Sequence, residues 1–149
     1  MSDLEEIQAK AAERGLEFLL IGGLAVIEHG FARLTTDIDL VIPVNDKERW
    51  GTLLRDLQYQ LINEKDSFRQ YEPATITKWP LDLMLVNAET YAGLVAAALP
   101  VTVMGASIRM VSLKHLLALK LHVLKQGKLH RFLDDLEDVI KLVVSNRLI

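Results

Sequence analysis

The chain contains no cysteine, which excludes disulfides, zinc–thiolate sites and a thiol nucleophile. A basic surplus is missing as well. Lys and Arg number 17 against 20 Asp and Glu, for a formal net charge of −3, whereas a dedicated duplex-DNA binder carries a basic excess. Long apolar runs are absent. The most apolar stretch, Tyr91 to Ala106, is interrupted by Pro100 and Thr102 and falls short of the ~20 residues that a bilayer span needs. The start, Met1-Ser2-Asp3-Leu4-Glu5-Glu6, is acidic and lacks the basic opening of a signal peptide. These absences lead us to expect a cytoplasmic protein with no membrane partner. There is also no internal repeat and no linker. The 149 residues are therefore expected to form one domain.

What is present is an ordinary globular mix, half hydrophobic and a quarter charged, in a chain long enough to bury about 70% of its unfolded surface. Ser2 followed by Glu5 has capping-box spacing and opens a helix that Gly15 stops. Phe18 to Ile21 is a buried strand that runs into the Gly22-Gly23 turn, and Leu24 to His29 is a short helix closed by Gly30. A second strand covers Asp37 to Ile42, and Asp46 caps a helix to about Leu57. Further strands are expected over Phe68 to Tyr71, Thr75 to Lys78 and Leu81 to Val86, then a helix from Thr90 to Leu99. A hairpin turns through Gly105-Ala106-Ser107, and two helices follow, from Ser112 to about Gln126 and from about Leu129 to Val144. The order predicts an α+β fold: an α/β-like front half, a mixed sheet flanked by helices, and two C-terminal helices. A core over about 16–111 would carry a helical element over about 112–149.

Three acids stand out. On a strand, Asp37 and Asp39 would point to one face and Ile38 to the other. Two carboxylates side by side repel unless a cation sits between them, and magnesium suits hard oxygen ligands shared with phosphates. The plainer reading is a solvated strand edge. Gly22-Gly23, between a strand and a helix, would leave backbone N–H groups free for a phosphate, although such turns are often only turns. Asp82 interrupts the apolar run Leu81 to Val86, where an unpartnered carboxylate is costly. It reads either as a strand-end residue facing water or as a third ligand or base in metal-assisted phosphoryl chemistry.

Ile21-Gly22-Gly23-Leu24-Ala25-Val26, His29-Gly30 and Arg33-Leu34-Thr35-Thr36-Asp37-Ile38-Asp39-Leu40 together resemble the signature of the DNA polymerase β-like nucleotidyltransferase superfamily. Within it, the match is closest to the minimal nucleotidyltransferases and the AbiEii-type, type IV toxin group. Ile108 to Leu121 is similar to that group's strand-then-helix element with its lysine, here Lys120. Arg131 to Asp138 is similar to its closing helix, with Asp135 and Asp138 as the Asp-x-x-Asp pair. Many relatives have Gly-Ser at the turn, where this chain has Gly23, and a lysine where it has Asp134. The resemblance implies a nucleotidyltransferase-type mixed sheet and an enzyme that moves a nucleotidyl group from a nucleoside triphosphate to an acceptor hydroxyl. Gly22, Gly23, Arg33 and Lys120 would then bind nucleotide. Asp37, Asp39 and Asp82 would be catalytic and hold two magnesium ions, with manganese as the substitute. Asp135 and Asp138 would be supporting residues.

Arg33 would pair either with a phosphate or with Asp37, and Lys120 either snorkels from the core or faces triphosphate. His29 reads as a helix-end contact rather than a catalyst. The acceptor is an RNA such as a tRNA 3′ end, a protein, or a small molecule. Lys120, Lys125, Lys128, Arg131, Lys141 and Arg147 tilt the expectation slightly towards RNA, although a solvated helical face explains them equally well. The resemblance also admits a cognate toxin or antitoxin partner, and with it the rival reading of a weakly catalytic module that acts by binding that partner.

Overall fold

The computed structural model describes residues 1–125 and, beyond them, Asp138, Ile140, Leu142, Val143 and Asn146. Seven strands form one mixed sheet: β1 (Leu19–Ile21), β2 (Ile38–Pro43), β3 (Tyr59–Lys65), β4 (Phe68–Pro73), β5 (Leu81–Val86), β6 (Leu99–Val103) and β7 (Ala106–Met110), in the order β3-β4-β5-β2-β1-β7-β6. Over residues 1–125 the helices that flank it are α1 (Asp3–Glu13), α2 (Gly22–Glu28), α3 (Lys47–Asp56), α4 (Ala88–Ala96) and α5 (Leu113–Lys125). The architecture is the α+β arrangement expected from the sequence. Of the last expected helix, Asp138, Ile140, Leu142 and Val143 are helical, and the rest lies outside the described residues. Among the described residues no helix is long and apolar enough to cross a membrane.

The central strands set the geometry. β2 runs parallel to β5 and antiparallel to β1, while β1 pairs in parallel with β7. The end of β1 and the starts of β2 and β5 therefore lie at one end of the sheet. Side chains at register-paired positions share a face. On one face Leu20, Ile38, Leu40, Ile42, Leu81 and Leu83 are fully buried. The amphipathic α3 covers this face, because Gly51 lies close to Arg69 and Tyr71 of β4, the register partners of Leu83 and Leu81. α1 packs against α3 and β7. Phe18 meets Trp50 edge to face at 5.8 Å.

Local chemistry explains most boundaries. Ser2 and Glu5 form the expected capping box, and Ser2 Oγ also donates to the Met104 carbonyl at 2.6 Å, which ties the first helix to the hairpin. Met104 and Gly105 both have positive φ, 50° and 80°, the requirement of a tight two-residue hairpin turn. The turn therefore sits one residue earlier than Gly105-Ala106-Ser107. Ser112 Oγ accepts the His115 N–H at 3.2 Å, as a cap for α5 should.

Four readings are corrected. Thr75 to Lys78 is not a strand. These residues form a turn between Pro73 and Pro80 in which Ile76 is fully exposed, so its β-branched residues have no sheet to join. β3 was not expected, because all of it beyond Tyr59 is exposed and it carries no apolar alternation. Its polar and charged residues suit a sheet edge. Asp46 makes no side-chain cap to α3 and ends a 3₁₀ turn over Val44–Asp46 instead. Pro100, expected to stop a helix, lies inside the edge strand β6, which tolerates a residue without an N–H donor.

Tyr91 of α4 is buried, and among the described residues its hydroxyl finds no hydrogen-bond partner. Burial, reinforced by Glu17, pushes its phenol up to about 12 from 10.0. The protonated phenol is favoured in the fold, so its contribution to stability is complete below the unfolded value and is lost as pH rises through the folded one. Tyr91→Phe removes an unsatisfied group. It is expected to leave stability at neutral pH unchanged or raised, and to flatten the loss between pH 10 and 12 in urea unfolding.

Candidate active site

The carboxylates and the glycines converge at the shared end of β1, β2 and β5. Asp39 pairs in register with Asp82 on the neighbouring parallel strand and with Ile21 on β1, so both carboxylates lie on one face of the sheet, opposite Ile38, Leu81 and Leu83. Asp39 is 7% exposed and Asp82 half-buried. Ile38 faces the core, as expected from alternation. Asp37 lies just before β2 rather than in it and is exposed.

The glycine turn is shaped around Asp39. Gly22 has a φ of +70°, and a Cβ built on it would lie 2.1 Å from Asp39 Oδ2. Only glycine fits, both for the left-handed backbone and for the contact. A Cβ on Gly23 would meet Thr35 Oγ1 at 2.8 Å. The two glycines do not precede the helix as a separate turn. They form its first residues, with Ile21 as N-cap. Thr35 is a residue of the site for which sequence reasoning gave no role. Its place in the quoted motif was the available signal.

Arg33 and Lys120 converge on one carboxylate from the closing helix. Both reach Asp138 Oδ2, Arg33 Nη1 at 2.5 Å and Lys120 Nζ at 3.0 Å. Asp138 is 2% exposed and Lys120 7% exposed. One buried carboxylate thus joins α5 and the Asp138 helix to the segment that leads into Asp37. Lys120 does not snorkel to water, and this removes it from any basic surface. Asp135, Lys128, Arg131, Lys141 and Arg147, and the side chain of Lys125, lie outside the described residues. His29 ends α2, and its Nε2 lies 2.9 Å from the Val111 carbonyl, a structural contact of the kind expected.

Among the described residues no three His, Cys, Asp or Glu side chains stand close enough to hold a metal ion by themselves. The donor chemistry nonetheless fits magnesium. Asp39 and Asp82 offer hard oxygens at register-paired positions, and this ion keeps waters and takes phosphate oxygens rather than requiring an all-protein cage. A separate open groove of about 650 Å³ lies between α1 and the β6–β7 hairpin, lined in part by Gln8, Glu17, Thr102 and Arg109. None of the site carboxylates lines it.

Neither protein-family models nor curated protein sequences match the chain. Solved structures do. The chain is similar to the antibiotic-resistance factor ANT(2″)-Ia in complex with adenylyl-2″-tobramycin, with a TM-score of 0.70 and 19% identity over 95% of this chain and 86% of that one. It is similar to the lincosamide antibiotic adenylyltransferase LnuA, lincomycin-bound, with a TM-score of 0.64 and 15% identity over 93% and 95% of the two chains. An antigenic nucleotidyltransferase-like protein from Paracoccidioides brasiliensis gives 0.55 and 17% over 96% and 77%. The fold is that of the nucleotidyltransferases, as the sequence motif implied.

Two outcomes follow from this geometry. Gly22→Ala must adopt a backbone costing about 1–2 kcal/mol and also displace Asp39. Circular dichroism should show a folded but destabilised chain, and a variant as stable as the parent would contradict the close approach. Asp138→Ala removes the buried carboxylate that Arg33 and Lys120 share and should destabilise the chain by more than about 1 kcal/mol in denaturant unfolding. A loss below 1 kcal/mol would mean the ion pairs are incidental.

Proposed function

We propose that this protein is a nucleotidyltransferase. It moves a nucleoside monophosphate from a triphosphate to an acceptor hydroxyl. The acceptor oxygen attacks the α-phosphorus, the bond to the β-phosphate oxygen breaks, and pyrophosphate leaves. The acceptor proton passes to a carboxylate, for which Asp82 is the candidate. The observation that carries this reading is the in-register Asp39–Asp82 pair on adjacent parallel strands, with the Gly22 backbone pressed against Asp39. The likeness to adenylyltransferases supports it.

Asp39 and Asp82, with Asp37 at the mouth, would hold magnesium. Bound magnesium, as one or two ions, supplies charge neutralisation at the triphosphate and activation of the acceptor oxygen. The protein's own part is positioning and electrostatics, which in-line displacement needs more than covalent help. Gly22 and Gly23 let the backbone approach the phosphates closely. Arg33 and Lys120, held by Asp138, bring positive charge to the segment before Asp37. The toxin–antitoxin setting rests on the AbiEii resemblance, and the reaction proposed here does not depend on it.

Calorimetric titration with ATP, GTP, CTP and UTP, with magnesium and with EDTA, tests the reading. At least one triphosphate should bind with magnesium and lose that binding in EDTA. Asp39→Asn should abolish the magnesium-dependent part. Asp82→Asn should depress turnover, read as pyrophosphate release, at least 100-fold while reducing triphosphate affinity less than tenfold. Magnesium-independent binding that survives Asp39→Asn, or no binding at all, would overturn the proposal.

A further inference from the structure

The groove between α1 and the β6–β7 hairpin lies at the far end of the sheet from the carboxylates, where the sheet itself opens. β1 is antiparallel to β2 and parallel to β7, so the starts of β1 and β7 share that end. The two strands meet in register at Leu20 and Met110, and the Val111 N–H donates to the Leu20 carbonyl at 3.2 Å. Ahead of that pair, Glu17 and Phe18 line the groove from one strand and Ile108 and Arg109 from the other, around about 650 Å³ of open space. α1 lies alongside, held by Gln8 Nε2, which donates to the Ser107 carbonyl. The lining is mostly apolar, and Phe18 and Val101 are only half-buried. Of the lining residues Glu17 and Arg109 carry charge, one of each sign, and both are exposed. Among the described residues neither enters an ion pair or a side-chain hydrogen bond. Beside burial, which raises the Tyr91 phenol most, Glu17 raises it and Arg109 lowers it. Both charges thus stand within electrostatic reach of one hydroxyl.

We infer that this groove is a ligand site for a small zwitterion with an apolar body, namely an apolar amino acid or a short apolar peptide. It lies apart from Asp39 and Asp82 and does not rest on the nucleotidyl-transfer reading. The volume suits a small molecule, whose sites run from about 300 to 1,000 Å³. Arg109 offers a planar fork of donors to a carboxylate, and Glu17 accepts from an ammonium group. Phe18, Val101 and Ile108 take the hydrocarbon. A ligand with one charge would pair with one of the two residues and strip water from the other, which costs free energy. A polyanion would meet Glu17 and find one cation in the lining, too little to neutralise a nucleic-acid backbone. A zwitterion satisfies both residues at once and adds no net charge.

The test is an NMR titration of the full ¹⁵N-labelled chain with L-phenylalanine and L-leucyl-L-leucine. Each is run beside its N-acetyl and C-amide forms, which lack one of the two charges. At least one zwitterion should shift the backbone amides of Phe18, Ser107 and Ile108 saturably and bind at least tenfold more tightly than either blocked form. Arg109→Gln should remove the preference for the free carboxylate and keep that for the free amine. Glu17→Gln should do the reverse. Both side chains are exposed, so the variants are expected to fold, and the blocked ligands decide the matter on the parent chain in any case. The inference is overturned if neither zwitterion moves these amides, if the blocked forms bind as tightly, or if the shifts centre on Gly22 and Asp39 instead. Preferences that survive both substitutions would overturn it as well. So would shifts of the same amides that grow with protein concentration alone, which would assign the groove to a second copy of this chain.

Discussion

The contact between the Gly22 backbone and the Asp39 carboxylate is the constraint around which the site is built. A side chain at position 22 would occupy the space that Asp39 Oδ2 fills. The strand end, the helix start and the carboxylate are therefore fixed relative to one another by excluded volume rather than by a bond that could rotate. Because Asp39 is also the register partner of both Ile21 and Asp82, three strands inherit that placement. Packing on the opposite face supplies the energy that holds it. Ile38, Leu40, Leu81 and Leu83 bury their side chains completely, and fully burying each stabilises by roughly 1.5–3 kcal/mol. A one-residue slip of β2 would put Asp39 into that layer and take Ile38 and Leu40 out of it. The apolar face thus fixes the register of the polar one.

A second, electrostatic tie joins distant parts of the chain. Asp138 accepts from Arg33 and Lys120 on one oxygen in a nearly dry environment, where such pairs gain strength but also carry a desolvation cost. Its value is in specifying geometry. The segment before Asp37 has little regular structure of its own, and an anchored Arg33 limits the positions it can take.

Much of this was legible in the sequence, for identifiable reasons. Strong local signals held: the Ser2–Glu5 capping box, the apolar run into Gly22, and the apolar run Leu81 to Val86 as a strand. The strands around the acids were visible because one of their faces is buried. β3 was not, since a charged edge strand shows no burial pattern. Thr75 to Lys78 misled because β-branched residues imply a strand only where a sheet is there to receive them. The pairing of Arg33 with Asp138 joins residues far apart in the chain, and side-chain identity alone does not carry long-range register.

The parallel pairing of β2 with β5 has a consequence for how the chain acquires its function. Parallel neighbours cannot be joined by a short turn, and here the crossover contains α3 and the whole β3–β4 hairpin. β1 waits longer still for β7, with Leu20 paired to Met110. Contacts this distant in sequence form late and slow folding. The two carboxylates are thus kept apart until the hydrophobic layer beneath them closes, and their mutual repulsion arises only when there is packing energy to oppose it. A nascent chain emerging from the ribosome would carry the glycine turn and the first aspartates well before it could bring them opposite Asp82.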